Sequence, residues 1–254
     1  MNEDKGKFVV CLKPLFQGYW GYLRSEREAT FHDKRLNRLA ILSYLILSKR
    51  NDKSDEEQNL YDSFKDCSVI ANKYIDGGFD NYHKQSLIGL ISGFELSIEG
   101  FMMKTLMTYE DAALQFSKFI NLEKNSLKKI LPLESENDAK SFFNELTSKA
   151  RQTHKGISQY IVLLPYWDIC PKIAKREIEL VNEAKAIRNC IIHNNAIIDE
   201  SSVRLSPTLK TYINQEIKIN EDLYNKYYKA TTKVHQSITA ESYKSKYLLS
   251  KFIR

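Results

Sequence analysis

The sequence predicts an all-α fold, a multi-helix bundle, and three observations carry that prediction. Glycine and proline are scarce, 9 and 5 among 254 residues, so few positions interrupt a helix. Leu, Lys, Glu and Ala are abundant, all good helix formers. Apolar side chains recur at steps of four and three, clearest in Leu87, Ile91, Phe94, Ile98 and Phe101 with Met102 beside them. A hydrophobic fraction of 43% against 28% charged residues is that of a folded chain rather than a disordered one. Its length suits one large domain, or one domain with an appended piece.

The first thirty residues are the least helical. Lys7 to Leu12 is β-prone and Gly18 to Tyr22 is aromatic with two glycines, which predicts an extended N-terminal arm lying on the body. A helix is expected from near Thr30, with Asp33 completing its cap, through Leu36, Leu39, Ala40, Tyr44 and Leu47 to Lys49 and Arg50. After a polar loop, Ser54 and Glu57 form a second capping box. The helix it opens carries Leu60, Phe64, Cys67, Ile70, Ala71 and Tyr74 and stops at Gly77 and Gly78. That double glycine divides the chain into an N-terminal arm and helical portion, 1–78, and a helical domain, 79–254.

The longest apolar stripe runs from about Tyr82 to Tyr109 and predicts the central core helix. Glu95 and Glu99 sit one turn apart beside it. Paired carboxylates bind metal in di-iron bundles, but those need a Glu-x-x-His partner that is absent here, so both read as solvated or structural acids, with Glu95 the better placed to meet a polar partner. A further helix is expected over Glu110 to Ile130, ended by Leu131 and Pro132. Ser135 and Asp138 then cap a short helix through Phe142, Phe143 and Leu146. His154 lies in a stretch with loop composition, Gln152 to Gly156, and reads as solvated.

The apolar run Ile161 to Leu164 precedes Pro165, and Pro171 suits the first turn of the next helix. The segment 197–219 reads as a short β or irregular connector, with Pro207 arguing against anything long. A final helix is expected from Asn220, with Glu221 and Asp222 in its first turn.

The net charge of +6 is concentrated at the C-terminal end. From Lys226 onward seven cations face the single acid Glu241, which favours polyanionic partners or else makes a solvated helix face. The four cysteines, Cys11, Cys67, Cys170 and Cys190, are widely spaced with no Cys-x-x-Cys pair, and no signal peptide is evident. They read as free thiols in a cytoplasmic protein. No apolar run approaches the roughly 20 residues of a membrane span, so no membrane partner is expected. Glycine-rich phosphate loops, Gly-x-Ser-x-Gly elbows and His-Glu-x-x-His motifs are missing, which removes the usual marks of P-loop, elbow-hydrolase and zincin chemistry.

The candidate chemistry lies in Arg188-Asn189-Cys190-Ile191-Ile192-His193-Asn194-Asn195. Arg188 is a permanent cation suited to holding a phosphate, and His193 exchanges protons near neutral pH. On this helix Ile173, Leu180, Ala184, Ile187 and Ile191 share one sector that faces the core. Arg188 falls about 80° to one side of that sector, and His193 lies about 140° from Arg188 while the helix continues. One copy therefore presents the pair poorly, unless the helix ends near His193, as Asn194 and Asn195 suggest, or a second copy supplies the complementary residue. In an ordinary bundle the same residues have structural uses, with His193 capping carbonyls and Arg188 paired with Glu183 or another acid.

This stretch resembles the Arg-x4-His motif of the HEPN superfamily (higher eukaryotes and prokaryotes nucleotide-binding). The likeness includes the asparagine directly after the arginine, Asn189, and the two asparagines after the histidine. It is carried by roughly a dozen residues within the helical pattern from Tyr82 onward, including the long helix with Phe94 and Glu95. The resemblance implies a metal-independent endoribonuclease, without a cofactor, that acts as a homodimer. Arg188 and His193 from two subunits would meet in one cleft, His193 transferring protons as a ribose 2′-hydroxyl attacks the adjacent phosphate and Arg188 stabilising charge on the phosphoryl oxygens. Asn189, Asn194 and Glu95 would support the site or bind RNA.

The implied setting is a toxin or phage-defence protein with an antitoxin or regulatory partner. One position departs from the pattern. HEPN toxins paired with a nucleotidyltransferase often carry a tyrosine two residues after the histidine, which the partner modifies, and here that position is Asn195. The alternative from a different class is a non-catalytic HEPN-like dimer that binds RNA or protein.

Overall fold

The structure, a computed structural model, describes residues 35–49, 54–108, 112–115, 133 and 135–245. The expected N-terminal arm, the Thr30 cap, most of the helix expected over 110–130, and Lys246, Lys251 and Arg254 lie outside the described residues.

The described chain is all-α. Helix α1 spans 35–48, and α2, Asp55–Asp76, opens on the Ser54 capping box, where the Ser54 hydroxyl accepts from the Glu57 N–H at 3.3 Å and the Glu57 carboxylate accepts from the Ser54 N–H at 3.1 Å. At its end the Gly77 N–H donates to the Lys73 carbonyl at 3.0 Å, and Gly78 takes a left-handed φ of 63° that turns the chain into α3, Asp80–Thr108. Helix α4, Glu136–Arg151, starts at the predicted Ser135 and Asp138 box. A one-turn helix α5, Ser158–Ile161, and a 3-10 turn, Leu164–Trp167, lead to α6, Lys175–His193. Then come α7, Glu200–Leu205, a 3-10 turn over Pro207–Tyr212, and α8, Glu221–Ser242.

Helix α3 is the centre of the packing. Leu87, Leu90, Ile91, Phe94, Ile98, Phe101 and Met102 are all buried, with α4, α6 and α8 packed against the helix. Trp167 meets Phe101 edge-on with ring centroids 6.0 Å apart, and its indole N–H donates to the Ala112 carbonyl at 3.2 Å. On length and composition alone the stretch Asp80–Met107 could cross a membrane. That corrects the expectation that no segment reaches that length. Glu95 and Glu99 break the apolar run as it is read along the chain, but the helix around them stays apolar enough on average. Half of the most apolar stretch is buried among the other helices.

Two expectations are refined. Pro171 precedes α6 rather than opening it. The helix starts at Lys175, where the Glu177 carboxylate folds back to accept the Ala174 N–H at 2.9 Å. Within the connector 197–219, residues 200–205 are helical, because the Asp199 carboxylate caps them by accepting from the Ser202 N–H at 2.8 Å. Its β character is limited to isolated bridges, Ile197 with Glu216 and Ile198 with Ile213. Helix α8 begins as expected, with the Asn220 side chain accepting from the Leu223 N–H at 2.9 Å.

Candidate functional site

Helix α6 carries the Arg-x4-His stretch, and its packing decides where each side chain goes. It is buried on a broader face than the predicted sector, with Val181, Glu183, Ala184, Ala186, Ile187 and Cys190 inside, because α3, α7 and α8 all pack on it. Glu183 tolerates burial because Tyr227 donates to it at 2.7 Å and Thr208 donates to its other oxygen. Burial, together with that bond to a carboxylate, pushes the Tyr227 hydroxyl well above the usual tyrosine range. Below α6, the Cys190 thiol lies 2.8 Å from the Ser202 hydroxyl and fastens α7 against the helix.

Arg188 pairs with Glu95, not with Glu183. The Glu95 carboxylate on α3 accepts from Arg188 through one oxygen and from Lys185 through the other, and the three side chains are only 14–15% exposed. Two cations thus share one acid in a poorly solvated place. The Arg188 Nε is buried and has no hydrogen-bond partner among the described residues. One turn along α3, Glu99 accepts from the Tyr160 hydroxyl at 2.6 Å. Burial first, and then that bond, push the Tyr160 hydroxyl well above its ordinary range, so it stays a neutral donor near pH 7. Glu95 and Glu99, which the sequence reads as solvated or structural acids, each have their carboxylate engaged by these donors.

Above this floor lies a cleft of about 650 Å³ between α3, α6, α7 and the loop after α4. Arg188 and Asn189 line it together with Lys185, Arg151, His154, Lys155 and Arg204. Five cations therefore face Glu95 and Glu99, and His154 adds a proton carrier.

His193 is elsewhere. Helix α6 continues to His193, so the side chains of Arg188 and His193 leave the axis about 140° apart. His193 is exposed and does not line the cleft. The chain turns directly after it. The Asn194 N–H donates to the Cys190 carbonyl and its side-chain amide to the Ile197 carbonyl, both at 2.8 Å, while Asn195 and Ala196 take left-handed φ values of 49° and 63°. Asn194 thereby closes the helix and holds the following segment.

Of the residues singled out in the sequence, the structure brings together Glu95, Arg188 and Asn189 and leaves His193 and Asn194 apart from them. It also adds residues. His154 is half-buried in the cleft rather than solvated, with its Nδ1 2.8 Å from the Thr153 hydroxyl. Arg151, His154 and Lys155 within five positions were a readable basic signal, but Lys185 and Arg204 join them only through tertiary packing. No protein-family model, curated protein or solved structure matches this chain.

Proposed function

We propose that this protein is a metal-independent endoribonuclease of HEPN type, acting as a homodimer in a toxin or phage-defence setting. Arg188 and His193 of two copies would form one composite site. The observation that supports this reading most is the separation of the two side chains on α6. Arg188 is held at the floor of a basic cleft while His193 stands exposed at the helix end, so one copy does not assemble the pair and a two-fold mate would supply what is missing.

In the proposed reaction His193 accepts the 2′-hydroxyl proton as that oxygen attacks the neighbouring phosphorus. The bond to the 5′-oxygen breaks, and that oxygen takes a proton from solvent as it leaves. Arg188 stabilises the charge on the phosphoryl oxygens. The products are a 2′,3′-cyclic phosphate and a 5′-hydroxyl. DNA, lacking the 2′-hydroxyl, is not a substrate.

The sharing of Glu95 between Lys185 and Arg188 favours a second reading, a non-catalytic HEPN-like dimer in which Arg188 is structural and the basic cleft binds RNA or protein. Incubation with single-stranded RNA in EDTA separates the two. The nuclease cuts under these conditions, leaves cyclic phosphate ends and loses activity in His193→Ala with the fold unchanged. Wild type and His193→Ala behaving alike would overturn it.

A further inference from the structure

The loop after α4 is tethered at three points. Gly156 has a φ of +63°, and a Cβ there would lie 2.0 Å from the Asn182 Oδ1 atom, so only glycine lets the loop backbone press this closely on α6. That same Oδ1 accepts the Ile157 N–H at 2.8 Å. Arg151 at the end of α4 donates through Nε to the buried Gln159 at 2.6 Å. The loop is thus locked onto the helix that carries Arg188, with His154 and Lys155 in the cleft wall.

Among the described residues the cations fixed there have little counter-charge of their own. Among the described residues neither Arg151 nor Lys155 makes an ion pair with a carboxylate. Arg204 reaches only Glu200, at 3.8 Å between side chains 67% and 82% exposed, an arrangement that contributes little. Lys155 Nζ donates to the Arg204 backbone carbonyl at 3.5 Å, which ties the loop to α7 in the cleft wall. Cations that line one cleft with little counter-charge cost stability on their own and gain it back when an anion enters. Beneath them the Arg188 Nε is buried, with no hydrogen-bond partner among the described residues.

We propose that Arg151, His154, Lys155 and Arg204 form a phosphate subsite beside Arg188, which holds the backbone of a single-stranded RNA next to the phosphate that Arg188 engages. This inference rests on the nuclease reading for the identity of its ligand. Because the contacts go to phosphates, the subsite binds without regard to sequence and its affinity falls with salt.

The test is binding rather than cleavage. The probe is a fluorescein-labelled 2′-O-methyl RNA octamer, which cannot be cut, titrated with the full chain and followed by anisotropy at several salt concentrations. The double variant Lys155→Gln with Arg204→Gln is expected to lose about tenfold in affinity and to lower the salt slope by about 1.4. Lys229→Gln with Lys233→Gln on α8 removes the same charge and is expected to stay within about twofold of wild type. Equal losses in the two double variants would place the strand on α8 and overturn the subsite. So would a cleft variant that binds like wild type, or a wild type that shows no binding. The nuclease reading fails separately, by absence of RNA cutting in a protein that still binds the octamer through the cleft.

Discussion

Arg188 and Glu95 are 93 residues apart in sequence and joined by a charged hydrogen bond across the α3–α6 interface. Lys185 shares the same carboxylate, so Glu95 is what allows two cations to sit at the floor of the cleft. Removing a poorly solvated counter-charge leaves the cations to repel each other and costs roughly 3 kcal/mol. Glu95→Gln keeps the shape and loses the charge, so urea unfolding should show a loss of that order. An unchanged midpoint would mean that Glu95 is solvated and the pairing is unimportant.

The exposed position of His193 predicts a separation of stability from activity. His193→Ala should move the thermal midpoint by no more than the roughly 0.5 kcal/mol of an ordinary surface change, while RNA cutting in EDTA disappears. Arg188→Ala should lose both, because one Glu95 oxygen loses its donor in a poorly solvated place.

Gly156→Ala tests the locked loop. A left-handed conformation costs a Cβ-bearing residue roughly 1 to 2 kcal/mol, and the clash with Asn182 adds to that. The variant should be destabilised by about 2 to 4 kcal/mol in chemical denaturation. A loss below about 1 kcal/mol would show that the loop yields easily and does not hold the cleft wall in place.

His235 on α8 makes stability depend on pH. It is buried against Phe94 with Ser97 at 3.3 Å, and burial pushes its pKa down to about 4. The unfolded chain then binds more protons than the native one between pH 6.5 and 4, so the stabilisation is fully present above about pH 6.5 and is lost as pH falls through that window. Unfolding free energy should drop by about 2 kcal/mol from pH 7 to pH 5, and His235→Gln should flatten that drop. An identical pH dependence in both proteins would place the titration elsewhere.

The local features were legible in the sequence, and the distant ones were not. Ser54, Ser135 and Asn220 announced their helices because a cap is a relation between residues three apart. The helix end after His193 was readable from Asn194 and Asn195 for the same reason. The helix at 200–205 was hidden because it is only six residues long and its segment reads as a short β or irregular connector, so the Asp199 cap stood without a longer apolar stripe behind it. The Glu95 pairing, and the arrival of His154 and Arg204 beside Arg188, depend on how α3, α7 and the loop after α4 dock on α6. No spacing in the chain records that docking.

Complementation tests the composite site most directly. Arg188→Ala and His193→Ala, each inactive alone, are mixed, dissociated in mild denaturant and reassociated. If two copies build one site, mixed dimers bring an intact Arg188 to an intact His193, and RNA cutting in EDTA returns well above that of either parent. Activity that stays at the parental level, with mixed dimers shown to form, would contradict the account.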